Sequence, residues 1–151
     1  MKELLDPINE ISKYGLLENL NEKDKTKNLE RNLVKIYDLY FENEFEFDET
    51  EYPEFNKKDF SNIRENIASN FPKFGYYKIA TLITEIENEV ENLIADSIDD
   101  LNDIILDLQE VKWRTENTSV NDAKWFFNLI FESHTKNHII NLLNYLRETE
   151  D

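Results

Sequence analysis

The sequence predicts an all-α fold: a small bundle of about five helices, with room for a short extended pair in the connecting loops. Three observations predict it. Apolar residues recur at three- and four-residue intervals over most of the chain. Only two Gly and three Pro interrupt the 151 residues, so turns are few and long elements are favoured. Hydrophobic residues make up 40% against 33% charged, enough to build one core, so residues 1–151 read as a single helical domain.

Asp6 and Pro7 fit an N-cap followed by proline at the first helical position. Ile8, Ile11 and Leu16 then mark a first helix ending near Leu20. After a polar break, Leu29, Leu33, Ile36, Tyr37, Tyr40 and Phe41 predict a second helix. The stretch "FENEFEFDETEYPEF", residues 41–55, loses that period and reads as a loop or short extended segment held down by its aromatics. Asp59 is the expected cap of a third helix carrying Phe60, Ile63, Ile67 and Phe71, with Pro72 beyond its end. "KFGYYKIA" reads as a turn and a short extended piece. A long fourth helix is expected from about Thr84 to Arg114, with Val90, Leu93, Ile94, Ile98, Leu101, Ile104, Ile105, Leu108 and Val111 on one arc. Thr118 or Ser119 then caps a last helix reaching about Leu146. Trp125, Leu129, Ile140 and Leu143 fall on one side of it, and Phe127, Phe131, Leu142 and Tyr145 nearly opposite. A helix apolar on two sides is expected at the centre of a bundle.

Composition excludes several functions. Thirty-three acidic against 17 basic side chains give a formal charge of -16, which repels phosphate backbones and anionic membranes. No direct nucleic-acid contact is expected, and a protein partner with a basic surface is. There is no Cys, so thiol chemistry and disulfides are excluded. The start "MKELLDPINE" has no apolar signal core, and no apolar run approaches the roughly 20 residues that span a bilayer, so a cytoplasmic protein is expected. Gly-rich phosphate loops and a Ser nucleophile elbow are missing as well.

The residues left for chemistry are carboxylates and two histidines. His134 and His138 stand an i, i+4 step apart and share one face of the last helix with Phe127, Phe131 and Tyr145. Asp96, Asp100, Asp103 and Asp107 line one flank of the long helix, with Asp99 further toward solvent and Asp100 nearest the core. Where that flank meets the last helix, Asp100, Asp103, His134 and His138 could hold a divalent metal ion. Groups in this pattern more often make structural hydrogen bonds. Glu85, Glu87, Glu89 and Glu91 fall at every second position and spread around a helix, so they form no site. Trp113 and Trp125 flank the turn between the last two helices and are expected to pin it.

"YPEF" (52–55), "FPKFGYYKIA" (71–80), "SIDDLNDIILDLQEVKWRTENTS" (97–119) and "DAKWFFNLIFESHTKNH" (122–138) occur in that order. Together they resemble a bacterial family known as domain of unknown function number 5063, over about the C-terminal two thirds of the chain. The resemblance implies a small, mostly helical domain and no assigned activity. It carries over Tyr76, Tyr77, Asp99, Asp100, Asp103, Trp125, His134 and His138. Between the histidines that family usually has Trp, Gly and Arg, whereas this chain has Thr135, Lys136 and Asn137.

Two functions of different class are expected. The first is a non-enzymatic interaction protein, of the kind that acts as an immunity protein or antitoxin by masking a basic partner. Phe45, Glu46, Phe47, Asp48 and Glu51 are its expected contacts, with Asp96 and Asp107 from the aspartate flank. The alternative is a metal-dependent hydrolase using the Asp/His cluster between the last two helices.

Overall fold

The computed structural model describes residues 1–149 and is mostly helical. Its helices are α1 (Lys2–Leu16), α2 (Lys25–Glu42), α3 (Ile63–Asn70), α4 (Ser97–Asn117), α5 (Val120–Ile130) and α6 (Lys136–Thr149). A turn of π-helix, Phe131–Thr135, joins α5 to α6 into one interrupted rod, and counting that rod once gives five helices. A short 3-10 turn at Lys57–Asp59 precedes α3. Strands β1 (Tyr76–Thr81) and β2 (Glu91–Asp96) pair antiparallel, with Tyr76 opposite Asp96 and Thr81 opposite Glu91. The fold is thus a helical bundle with a small sheet, not a purely helical one.

Helix α4 is the centre, packing against α1, α3, α5 and α6. Leu101, Ile104, Ile105, Leu108 and Val111 on its inner arc are completely buried. Helix α1 approaches closely because Gly15 has no side chain. A Cβ there would stand 2.8 Å from both Ile105 Cδ1 and Ile63 Cγ2. No helix among the described residues is long and apolar enough to cross a membrane.

The structure corrects three expectations about the elements and chooses between the two caps expected for the last helix. Helix α1 begins at Lys2, with Pro7 inside it, and ends at Leu16. So near the helix start, Pro7 forfeits only one backbone bond, to the carbonyl of Glu3. Asp59 closes the 3-10 turn, and α3 starts at Ile63. Helix α4 begins at Ser97, not near Thr84. The Asp96 side chain accepts from Ile98 N at 2.9 Å and caps it, and Ser97 is hydrogen-bonded to both the N–H and the C=O of Gly75. Val90, Leu93 and Ile94 therefore belong to the hairpin, where each is exposed. Ser119 rather than Thr118 caps α5, accepting from Asp122 N at 3.1 Å.

The expected two-sided burial of the last helix is also corrected. Phe127, Phe131, Leu142 and Tyr145 are buried, but Leu129 and Ile140 are about half exposed. In the π-turn, Lys136 N bonds to Phe131 O, five residues back. One residue is thereby inserted, which turns the following helix by about 100° relative to an unbroken wheel. Residues before and after the turn no longer share a face as continuous spacing implies.

Burial has a pH consequence at Tyr14. Its phenol is enclosed beneath α2, donates to Glu22 at 2.9 Å and accepts from Asn28 at 2.9 Å. Burial pushes its pKa up to about 12. An unfolded tyrosine ionises near pH ~10. The unfolded chain therefore releases that proton first, and stability that is complete below pH ~10 is lost as the pH rises toward 12. Urea midpoints measured across this window are expected to fall steeply for the native chain. They should fall less for Tyr14→Phe, with Tyr77, whose pKa burial also raises, supplying the remaining slope.

Candidate metal centre

Asp100, Asp103 and Asp107 fall at three- and four-residue steps on α4, so all three project from one flank. That flank faces the π-turn and α6. The inserted residue turns both His134 and Thr135 toward Asp107. His134 Nδ1 lies 2.8 Å from Asp107 Oδ2, and the Thr135 hydroxyl donates to the same oxygen at 2.7 Å. One turn on, His138 Nδ1 lies 2.8 Å from Asp100 Oδ1, while the Tyr77 hydroxyl donates to Asp100 Oδ2. Asp100 and Asp107 are each buried.

These carboxylates fix the chemistry of the rings. A buried carboxylate accepts, so each Nδ1 carries the proton and each neutral ring keeps its lone pair on Nε2. The two Nε2 atoms face each other at 3.2 Å, and Asp103 Oδ2 stands 3.4 Å from His138 Nε2. One ligand atom from each of Asp103, His134 and His138 lies within 4.8 Å of the others. Two opposed lone pairs at such a distance repel unless a positive species sits at that point. The hydrogen bond to Asp100 holds the His138 pKa above its usual value, against burial, and the charge of Asp103 adds to it. The centre thus draws positive charge.

A cleft of about 400 Å³ opens beside it. Asp103, His138 and Asn141 form one wall, and Tyr76, Ile79 and Ile94 of the hairpin form the other. Arg64 pairs with Asp96, at 3.2 Å, and with Asp99 at the rim.

The sequence-predicted site residues are therefore divided. Asp103, His134 and His138 converge, while Asp100 stands behind His138 rather than at the point of convergence. Asp107, expected at an exposed contact surface, is buried behind His134. Asp96 is committed as the α4 cap, so neither carboxylate is offered to a partner. Thr135 and the π-turn have no counterpart in the sequence pattern, since nothing in "FESHTKNH" marks a change of helical period.

The loop from Asn43 to Asn56 keeps Phe47 and Glu46 exposed, with Glu51 beside them and Phe45 at the boundary. Asp48 is used internally, accepting from Ser119 at 2.5 Å, Tyr52 at 2.6 Å and Thr50 N at 3.0 Å, which holds its carboxyl well below the usual range. Phe47 packs edge-on to Trp125 at 5.4 Å, and Phe55 to Trp113 at 5.9 Å. The two tryptophans hold this loop rather than only the α4–α5 turn.

No family model matches the chain, and no curated protein matches it. Its fold is similar to that of protein BF1032 from Bacteroides fragilis. That crystal structure superposes with a TM-score of 0.68 over 99% of this chain and 89% of the other, at 16% identity. A likeness at that identity is one of fold.

Proposed function

We propose that this chain is a metal-dependent hydrolase in which Asp103, His134 and His138 bind one divalent cation. The observation that carries the reading is the pair of Nε2 atoms 3.2 Å apart, with both Nδ1 atoms already committed to buried aspartates. Tetrahedral ligands about 2.0–2.1 Å from zinc lie roughly 3.3 Å from one another. The separations of 3.2 and 3.4 Å suit that arrangement. Asp100 and Asp107 would orient the rings and raise their basicity, as carboxylates behind metal-bound histidines do.

A divalent cation held by these three residues would supply Lewis acidity and a water that ionises near neutral pH. The cleft wall of Tyr76, Ile79 and Ile94 would seat an apolar substrate group. The aspartates around it disfavour phosphate-rich substrates. The residues that the resemblance to family 5063 marks include Tyr77, Asp100, Asp103, His134 and His138, which all contribute to this centre; we propose that kinship as well.

Zinc titrated by calorimetry is expected to bind at one ion per chain. At a hundredfold excess over its Kd it should stabilise the fold by about 2.7 kcal/mol, a rise in Tm of roughly 5–10 °C. The variant His134→Ala/His138→Ala should show neither effect. If neither zinc nor manganese binds the native chain or moves its Tm, the metal reading is wrong. Chelator-sensitive cleavage of neutral chromogenic esters or amides tests the hydrolase part separately.

A further inference from the structure

A second surface stands apart from the metal ligands. The hairpin from Tyr76 to Asp96 projects from the bundle as an arm. Its root is fixed: Tyr77 bonds to Asp100 and packs on Tyr145 at 5.0 Å, and Ser97 holds Gly75. Its outer half is ordered by backbone turns, with Glu85 N bonded to Leu82 O at 2.9 Å and Asn88 N to Glu85 O at 3.1 Å. Nothing among the described residues covers that half. Leu82 is 50% exposed, Ile83 70%, Ile86 88% and Val90 57%.

Burying side chains of this kind is what holds most proteins together, and clustered exposure of them marks an interaction site. The sheet has only two strands, so each strand also has an open edge. Two-stranded sheets are marginal without a cover, and open edges accept an added strand.

Charge selects the occupant. Between Tyr76 and Asp96 the acidic residues are Glu85, Glu87, Glu89, Glu91 and Asp96, and the only basic one is Lys78. A second copy would bring the same glutamates against these, within a chain already at -16. Nucleic acid and anionic membrane are repelled likewise. We infer that the arm docks a protein segment in which apolar side chains alternate with Lys or Arg, added as an extended strand on an open edge and continued over the connection between β1 and β2, residues 82–90. The apolar residues of such a segment cover Ile83, Ile86 and Val90, and its cations meet the interleaved glutamates. The arm is a different surface from the acidic loop at residues 43–56, and its use does not depend on a bound metal.

The test uses a nine-residue peptide alternating Val and Lys, titrated into the isotope-labelled full chain and followed by amide NMR. Two control peptides replace Val by Ser, or Lys by Glu. The Val/Lys peptide is expected to bind with shifts confined to residues 76–96, more weakly as salt rises. Ile83→Ser/Ile86→Ser and Glu85→Lys/Glu87→Lys should each weaken it tenfold or more. These positions are exposed, and an unchanged Tm confirms that the variants stay folded. His134→Ala/His138→Ala should bind the peptide like the native chain, which separates this inference from the metal centre. No binding, equal binding of the Ser/Lys or Val/Glu peptide, or shifts elsewhere would overturn it. So would sedimentation showing that two copies associate through the arm and that Ile83→Ser/Ile86→Ser dissociates them.

Discussion

Asn70→Ala is expected to lower the unfolding free energy by about 2–4 kcal/mol, out of proportion to the few atoms it removes. Asn70 is buried at the end of α3 and uses both ends of its amide. Its Nδ2 donates to Tyr14 O at 3.0 Å and Leu17 O at 2.7 Å, and its Oδ1 accepts from Leu20 N at 2.8 Å. These backbone groups belong to the last turn of α1 and the chain leaving it, where helices run out of internal partners. Alanine strands all three groups, and each buried group left unpaired costs roughly 1–3 kcal/mol, reduced where water can enter. The expected fall in Tm is roughly 5–15 °C. Asn66→Ala is the matched control. Asn66 donates to Gly15 O at 2.8 Å from a half-buried position, so water can replace it and a loss near ~1 kcal/mol is expected. Equal losses in the two variants would show that burial of the amide is not what sets the cost.

Asn70 also marks what the sequence does and does not disclose. Apolar period discloses helices whose one face is buried along their whole length. Leu29, Leu33 and Ile36 placed α2, and Leu101 to Val111 placed the body of α4, because each is a continuous stripe against the core. The period cannot tell where a stripe stops being a helix. Val90, Leu93 and Ile94 extend the α4 arc by spacing alone, yet they are β-branched or apolar residues of a hairpin whose second strand pairs with "YYKIAT". The deciding group was Asp96, which fits a flank stripe as well as a cap, and only its bond to Ile98 N selects the cap. The π-turn was hidden for a related reason. An inserted residue leaves composition and local propensity unchanged and shows only in the phase of the helix beyond it. Even so, the facing of the aspartate flank and the histidine pair survived. Asp100 to Asp107 lies within one unbroken helix, and His134 to His138 spans a single turn.

Asp107→Asn tests whether a buried aspartate behind a ring tunes the proposed cation site. Zinc affinity is expected to fall roughly 10–100-fold, the usual cost of removing a carboxylate behind a metal-bound histidine. Asparagine still offers an oxygen to His134 Nδ1, so the ring is not released. What disappears is the negative charge 2.8 Å from that nitrogen, which makes Nε2 a stronger donor to a cation. Thr135 retains a partner, because its hydroxyl also reaches Ile130 O at 3.3 Å. The metal-free fold should therefore change less than the metal affinity does. Asp100→Asn should act alike through His138, with Tyr77 still donating to the remaining oxygen. Asp103→Ala should be worse than either, since it removes an atom from the point of convergence. Calorimetric titration of the four proteins gives the order: native tightest, the two asparagine variants next, Asp103→Ala weakest. If Asp107→Asn and Asp100→Asn bind zinc as tightly as the native chain, the buried aspartates serve packing alone.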